Sequence, residues 1–457
     1  MNAPTPSHER LATRDIANHL HSYTNLATHP QVGPLIIERG DGVYVEDDQG
    51  RRYIEAMAGL WCTSLGFSHP RLIKAGSDAL ARLPNYHTFN HRSNPPVIEL
   101  AERLLALAPV PMSKAFFANS GSEANDTAVK LVWYYHNAIG KRDKKKILAR
   151  LGGYHGVTVA AASLTGLPYN HKDFDLPIAR IGHVDNPHFF KFGRPGETEE
   201  QFATRLAESL EARILAEGPD TVAAFIAEPI MGAGGVIVPP ATYFDKIQPV
   251  LRKYDVLMIA DEVICGFYRT GETFGSGTYG IEPDILTCAK ALSSGYAPIS
   301  AVLINDTVHR ALADNAGRIG TFGHGFTYSG HPVTTAIALE TLKVYEDENI
   351  AAHVNEISPR FIERLHGFAD RPLVAEVRGK GLIGGIELMA DKAARKPFDP
   401  VGKVGGRLAA LALEQGLIVR AMGDSIGFCP PLIATAAQID EIFDKFDQAL
   451  TRLEQTL

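Results

Sequence analysis

The sequence predicts an α/β protein: a large domain on a mostly parallel sheet covered by helices, followed by a smaller α+β domain. Two patterns predict it. Apolar, β-rich runs at 146–150, 221–227, 256–260, 284–288 and 300–304 alternate with longer helical stretches such as 199–217 and 241–253. Uninterrupted apolar strands separated by helices belong to a sheet buried on both faces. Beyond residue 330 the pattern changes to a helix over 334–345, strands over 381–388 and 417–420, and an amphipathic helix over 437–453. The expected organisation is an arm and hairpin over 1–65 that join the small domain, a large domain over 66–330 and the small domain over 331–457.

The first thirty residues are polar and contain proline, as expected of a surface arm. Alternation on both sides of an acidic turn predicts a hairpin over 42–54. From Asn94, two prolines precede helical periodicity, the signature of a helix start. The segment 119–126, Asn-Ser-Gly-Ser-Glu-Ala-Asn-Asp, precedes a helical run over 127–138.

Bulk properties narrow the function classes. Of 457 residues, 45% are hydrophobic and 21% charged, an ordinary soluble composition. A formal net charge of -7 argues against general binding of nucleic acid or anionic membrane. The basic run over 141–146 reads as a solvated turn. Cys62, Cys265, Cys288 and Cys429 form no CxxC pair and read as reduced, packed thiols. The N-terminal stretch lacks an apolar core, and no uncharged apolar run is long enough to span a membrane. A cytoplasmic location is expected. None of the 17 histidines sits in an HExxH-type arrangement, and no metal site is expected.

The chemistry concentrates between 256 and 290. Asp261 follows the apolar run VLMIA, and Lys290 follows DILTCA. Ligands of open parallel sheets bind beyond the carboxyl ends of strands, so both charges are expected in one crevice. A lysine amine condenses with an aldehyde to a Schiff base. A carboxylate facing a pyridine nitrogen keeps that nitrogen protonated. The pair suits pyridoxal phosphate. Separately, Asp261 reads as a strand-end cap and Lys290 as a solvated lysine.

The motifs AMAGLWC, FFANSGSEANDTAVK, GGYHG, AFIAEPIMGAGGVIVPP, ADEVICGFYRTG, CAKALSSGYAPISA and HGFTYSGHP carry a resemblance. From about Gly33 to the C-terminus the chain resembles the class III pyridoxal-phosphate-dependent aminotransferases, most of all the ω-amino-acid/amine:pyruvate group. That implies fold type I, pyridoxal 5'-phosphate as cofactor, and a homodimer or dimer of dimers with shared active sites. It also implies transfer of an amino group from an amine or ω-amino acid to a keto acid, pyruvate, by way of pyridoxamine phosphate. Glutamate with 2-oxoglutarate as the working pair, or an aminomutase reaction, are the alternatives.

The resemblance also assigns residues. Gly121 and Ser122 contact the cofactor phosphate at a helix start, where the same residues otherwise make a plain N-cap and capping box. Tyr154 stacks on the pyridine ring, Val263 packs against its other face, and His155 is a hydrogen-bonded neighbour. Thr327 reaches the phosphate of the neighbouring subunit. Arg420 binds the carboxylate of the acceptor, and Trp61 and Phe89 line the substrate pocket. Two positions depart from the family pattern. Ile264 stands where glutamine is frequent, and Ala233 where some relatives place a glutamate that pairs with the arginine.

Overall fold

The computed structural model describes residues 8–457. The first seven residues of the expected arm lie outside them. Three short strands open the fold: β1 (Ile37–Asp41), β2 (Tyr44–Asp47) and β3 (Arg52–Glu55). The β2–β3 turn is written in its own side chains. Asp47 accepts the amides of Gln49 (3.0 Å) and Arg51 (2.9 Å) and the hydroxyl of Tyr53 (2.7 Å). This Asx-type bonding makes the expected acidic turn.

Seven strands form the central sheet: β4 (Lys114–Ala118), β5 (Lys146–Arg150), β6 (Ile181–Val184), β7 (Val222–Ala227), β8 (Leu257–Asp261), β9 (Ile285–Cys288) and β10 (Ser300–Ile304). Their order is β4-β10-β9-β8-β7-β5-β6. All neighbouring pairs from β9 to β6 are parallel, whereas β10 is antiparallel to both β4 and β9. The sheet is therefore mostly parallel with one reversed strand. Each residue of β7, β8, β9 and β10 is buried, as a two-sided sheet requires.

The C-terminal part carries β11 (Val374–Lys380), β12 (Ile383–Leu388), β13 (Leu417–Ile418), β14 (Arg420–Met422) and β15 (Ser425–Phe428). β11, β12, β15 and β14 make one sheet. The expected single strands over 381–388 and 417–420 are each divided differently. The first is the second half of a hairpin, and the second breaks at Val419, so that β13 and β14 serve different sheets. β13 pairs in parallel with β3, Leu417 opposite Ile54 and Ile418 opposite Glu55. Phe361, Phe428, Phe443 and Phe446 knot the helices Ile350–His366 and Ala436–Glu454 onto this sheet.

Two sequence expectations need correction. The helix predicted from residue 127 begins at Gly121, with Ser120 as its cap. The basic run is not wholly solvated. Lys144 is buried and donates to the carbonyls of Pro219 (3.2 Å) and Tyr254 (2.7 Å), while Lys146 pairs with Glu217 at 2.7 Å. A buried ammonium is tolerated there because carbonyl oxygens accept hydrogen bonds from its N–H groups. Among the described residues no helix is long and apolar enough to cross a membrane.

Candidate active site

β8 and β9 are adjacent and parallel, with Asp261 opposite Thr287. Their carboxyl ends therefore open side by side. Asp261 closes β8; Lys290 lies two residues past β9, at the first position of a tight turn with φ +46°.

Asp261 is aimed by three donors. Its Oδ2 accepts from Asn125 Nδ2 (2.8 Å) and from His155 Nδ1 (2.7 Å), and its Oδ1 accepts the Val263 amide (3.1 Å). Asn125 is fixed in turn by Thr287 Oγ1 (2.9 Å) and by the His155 carbonyl (2.7 Å). His155 is thus the hydrogen-bonded neighbour expected from the sequence. Its Nε2 is buried with no partner among the described residues. Behind it, Glu228 accepts the amides of Tyr154 (3.0 Å) and Gly232 (3.0 Å), and burial pushes its carboxyl above the usual range.

Burial pulls the Lys290 amine below the ordinary lysine value, against the opposing charges of Asp261 and Glu228. A lysine so placed gives up its proton more readily than a free one, which suits an amine that must act as nucleophile and base.

The N-terminus of the Gly121–Ala138 helix lies beside this pair. Ser120 Oγ accepts the Glu123 amide (3.2 Å), and Glu123 reaches back to the Asn119 amide (2.7 Å). The capping function is therefore real, yet it leaves the amides of Gly121 and Ser122 with no acceptor inside the helix. The plain N-cap of the sequence reading is thus present, while the carboxylate that would complete a capping box reaches Asn119 and not the cap residue Ser120. A Cβ on Gly121 would stand 3.0 Å from Val263 Cγ1, so glycine lets this valine sit directly on the helix start. Gly156, with φ +129°, has the same office towards Ser122, whose Oγ would collide with an added Cβ.

Arg420 lies within electrostatic reach of Tyr154. The Tyr154 hydroxyl is pushed up by burial and by a hydrogen bond with Tyr23, while the Arg420 charge pulls the other way. Arg420 also acts electrostatically on Tyr169 and on Lys290. The Tyr169 hydroxyl, raised by burial, is drawn down by that guanidinium. Among the described residues the guanidinium has no hydrogen-bond or ion-pair partner, and Ala233, buried in the 231–237 loop, offers it no acid. Trp61 is buried in one cluster with Met422, Ile264 and Cys429, and its indole nitrogen has no acceptor among the described residues. Ile264, where a glutamine is frequent, is thereby part of an apolar wall. Glu55 shapes the turn that delivers Trp61: one carboxylate oxygen accepts the amides of Met57 (3.2 Å) and Gly59 (2.5 Å).

Phe89 and Thr327 do not join this cluster. Both are exposed, and the Phe89 ring lies against Gly325 in the loop that carries Thr327. Thr88 Oγ1 donates to the Ser329 carbonyl (3.1 Å) and ties the two segments together. The sequence reading missed Asn125, Glu55, Glu228 and Tyr23. Tyr23 belongs to the segment expected to be a surface arm, yet it accepts from Asn170 Nδ2 (2.6 Å) and bonds Tyr154.

An amine at a strand end, a braced carboxylate opposite, free helix-start amides and an aromatic ring fit a phosphorylated pyridine aldehyde in kind and in placement. These features define a pyridoxal-phosphate-dependent aminotransferase of fold type I. The class III aminotransferase family model matches residues 26–450, and the chain belongs to that family. It is 54% identical over 422 residues to the chloroplastic gamma aminobutyrate transaminase 3 of Solanum lycopersicum, covering 92% of this chain and 81% of the relative. The omega transaminase of Pseudomonas jessenii, solved in complex with PMP, superposes with a TM-score of 0.97 at 56% identity, covering 98% of each chain. A variant of the thermostable omega transaminase PjTA-R6, engineered for asymmetric synthesis of enantiopure bulky amines, is altered at a tryptophan, a phenylalanine and an arginine. It matches with the same TM-score of 0.97 at 56% identity, over 98% of this chain and 99% of that one. A transaminase solved with L-ala matches with a TM-score of 0.91 at 56% identity, over 92% of this chain and all of that one.

Proposed function

We propose that the enzyme moves an amino group from a primary amine or ω-amino acid to pyruvate, giving alanine. One observation carries this reading: the guanidinium of Arg420, unpaired among the described residues, acts electrostatically on both Lys290 and Tyr154. It provides a two-pronged hold for one carboxylate. A dicarboxylic acceptor such as 2-oxoglutarate is held best by two cations, and Arg420 is the cation that acts on both Tyr154 and Lys290. The relative solved with L-ala supports the alanine/pyruvate pair. The γ-aminobutyrate relative supports an ω-amino acid donor. In the engineered PjTA-R6 form the three altered positions are spaced along its chain as Trp61, Phe89 and Arg420 are here, which supports a substrate role for those side chains.

When bound, pyridoxal phosphate supplies the aldehyde that takes up the amino group and a ring that draws electrons from the reacting carbon. Lys290 would hold the cofactor and move the proton from the donor carbon. Asp261 holds the ring nitrogen protonated, and Asn125 and His155 hold Asp261. The amides of Gly121 and Ser122 bind the phosphate; Tyr154 and Val263 enclose the ring. The test is a panel of amine donors against both acceptors. Alanine should form from pyruvate at least about tenfold faster than glutamate from 2-oxoglutarate, the factor that about 1.4 kcal/mol confers. Faster glutamate formation would reverse the assignment.

Arg420 also separates the two half-reactions. Arg420→Ala should slow the pyruvate half by about 100-fold, the worth of a charged, two-pronged hydrogen bond of about 3 kcal/mol. The half-reaction with a simple arylalkyl amine should lose little. Single-turnover absorbance of each half gives both rates, and equal losses would assign Arg420 a structural role.

Thr327, exposed and beside exposed Tyr328 and Phe89, is proposed to serve the phosphate site of a second copy. Thr327→Ala should then weaken cofactor retention about tenfold, as loss of one hydrogen bond to a charged group does. Dilution that separates subunits, followed by sedimentation, should release cofactor from the wild-type enzyme. A monomer that retains cofactor as firmly as the assembly would contradict the shared site.

A further inference from the structure

The segment that brings Tyr23 to Tyr154 is folded around a cluster of imidazoles. Asp15 and His19 lie one turn apart at the end of the helix His8–Asn18, and the chain then doubles back. The His19 and His21 ring centroids are 4.3 Å apart, and those of His21 and His29 are 4.1 Å apart. Asp15 Oδ1 is 3.2 Å from His19 Nδ1, and Asp15 Oδ2 is 2.6 Å from His21 Nε2. His29 Nε2 lies 3.6 Å from that second oxygen; it is buried and has no hydrogen-bond partner among the described residues. The ligating atoms of Asp15, His19 and His21 all fall within 4.8 Å of one another.

We propose that Asp15, His19 and His21, with His29 alongside as a further donor, bind one divalent ion of the zinc class and thereby pin the arm beside the pocket. The sequence predicts no metal site because it holds no local histidine motif; the doubling back of the chain is what gathers these side chains. Imidazole nitrogens around one carboxylate select zinc, nickel or copper over calcium or magnesium, which take oxygen donors. Zinc with ligands at about 2.0–2.1 Å sets tetrahedral donor atoms roughly 3.3–3.5 Å apart, so side-chain movements of less than about 1 Å suffice. The unbonded His29 nitrogen is a second, independent sign. A buried polar atom without a partner carries a cost that an arriving cation removes. His19, whose side chain is 63% exposed, leaves the entry open. Tyr23 lies between His21 and His29 in the chain, and the ion would therefore fix the loop that presents it to Tyr154 and Asn170.

The test uses the holoenzyme, cleared of metal by chelator and dialysis, and titrated with zinc against a chromogenic competitor. One ion per chain should bind with micromolar affinity or better. Replacing a neighbour of a ligand alone costs roughly 10- to 100-fold, so loss of a ligand in His21→Ala or Asp15→Asn should cost about 100-fold or more. Cobalt(II) in place of zinc should give visible bands of a low-coordinate ion, and zinc should slow amide exchange over residues 8–32 in the wild type but not in His21→Ala. The proposal is overturned if no saturable site appears, or if the site persists unchanged in both variants, which would put the ion elsewhere.

Discussion

Lys290→Ala should lower turnover by about four orders of magnitude or more, because one residue supplies both the covalent hold on the cofactor and the proton transfer. The fold should survive. The ammonium is an unfavourable guest at this position, as its lowered pKa records, and no hydrogen bond of the described framework ends on it. The phosphate amides, Asp261 and Tyr154 remain, so cofactor should still bind, without the absorption of the lysine-linked form. Thermal unfolding should stay close to wild type. An added small primary amine should restore part of the proton-transfer rate. Turnover within about tenfold of wild type would remove Lys290 from the mechanism, since general-base catalysis alone contributes roughly 10²–10⁴-fold.

Asp261→Asn should slow proton removal from the donor by about three orders of magnitude while leaving cofactor binding largely intact. The bonding around Asp261 fixes how the amide must sit. Two donors, Asn125 Nδ2 and His155 Nδ1, meet Oδ2, so the amide oxygen has to take that place. Its NH2 then points where Oδ1 was, against the Val263 amide and towards the cofactor. In that position it donates to the ring nitrogen, which favours the unprotonated ring and removes its pull on electrons. With a donor deuterated at the reacting carbon, the isotope effect on the amine half-reaction should rise. A normal rate with an unchanged isotope effect would mean that the ring nitrogen's protonation does not limit the reaction.

How far the sequence could be read is clear from particular residues. Asp261 and Lys290 were legible because apolar strands ending in a charge place that charge at the carboxyl edge of the sheet. Helix 199–217 was legible to its ends, since Thr198 and Gln201 form a capping box. β4 and β6 escaped because each is short and carries polar residues. The reversal of β10 had a signal in the short 289–299 connection, as a parallel return needs a crossover of a dozen or more residues. Asn125, Glu228 and Tyr23 were not legible. Each acts through a contact made by tertiary packing, and nothing local in the chain announces it. The resemblance placed Phe89 in the pocket and Thr327 at a neighbouring subunit's phosphate, and within a single chain the two stand together on an exposed surface.

The pairing of β3 with β13 has a consequence for synthesis. Trp61 follows β3 and Arg420 follows β13, and the strands are joined by Ile54 N to Gly416 O (2.9 Å) and Ala56 N to Ile418 O (3.0 Å). A ribosome delivers β5 to β10 long before it delivers Gly416. The strands that end in Asp261 and lead to Lys290 are therefore made while the partner strand of β3 is still missing. On the proposed function, the hold on the acceptor's carboxylate arrives last, with the final tenth of the polypeptide, because Arg420 is made after β13.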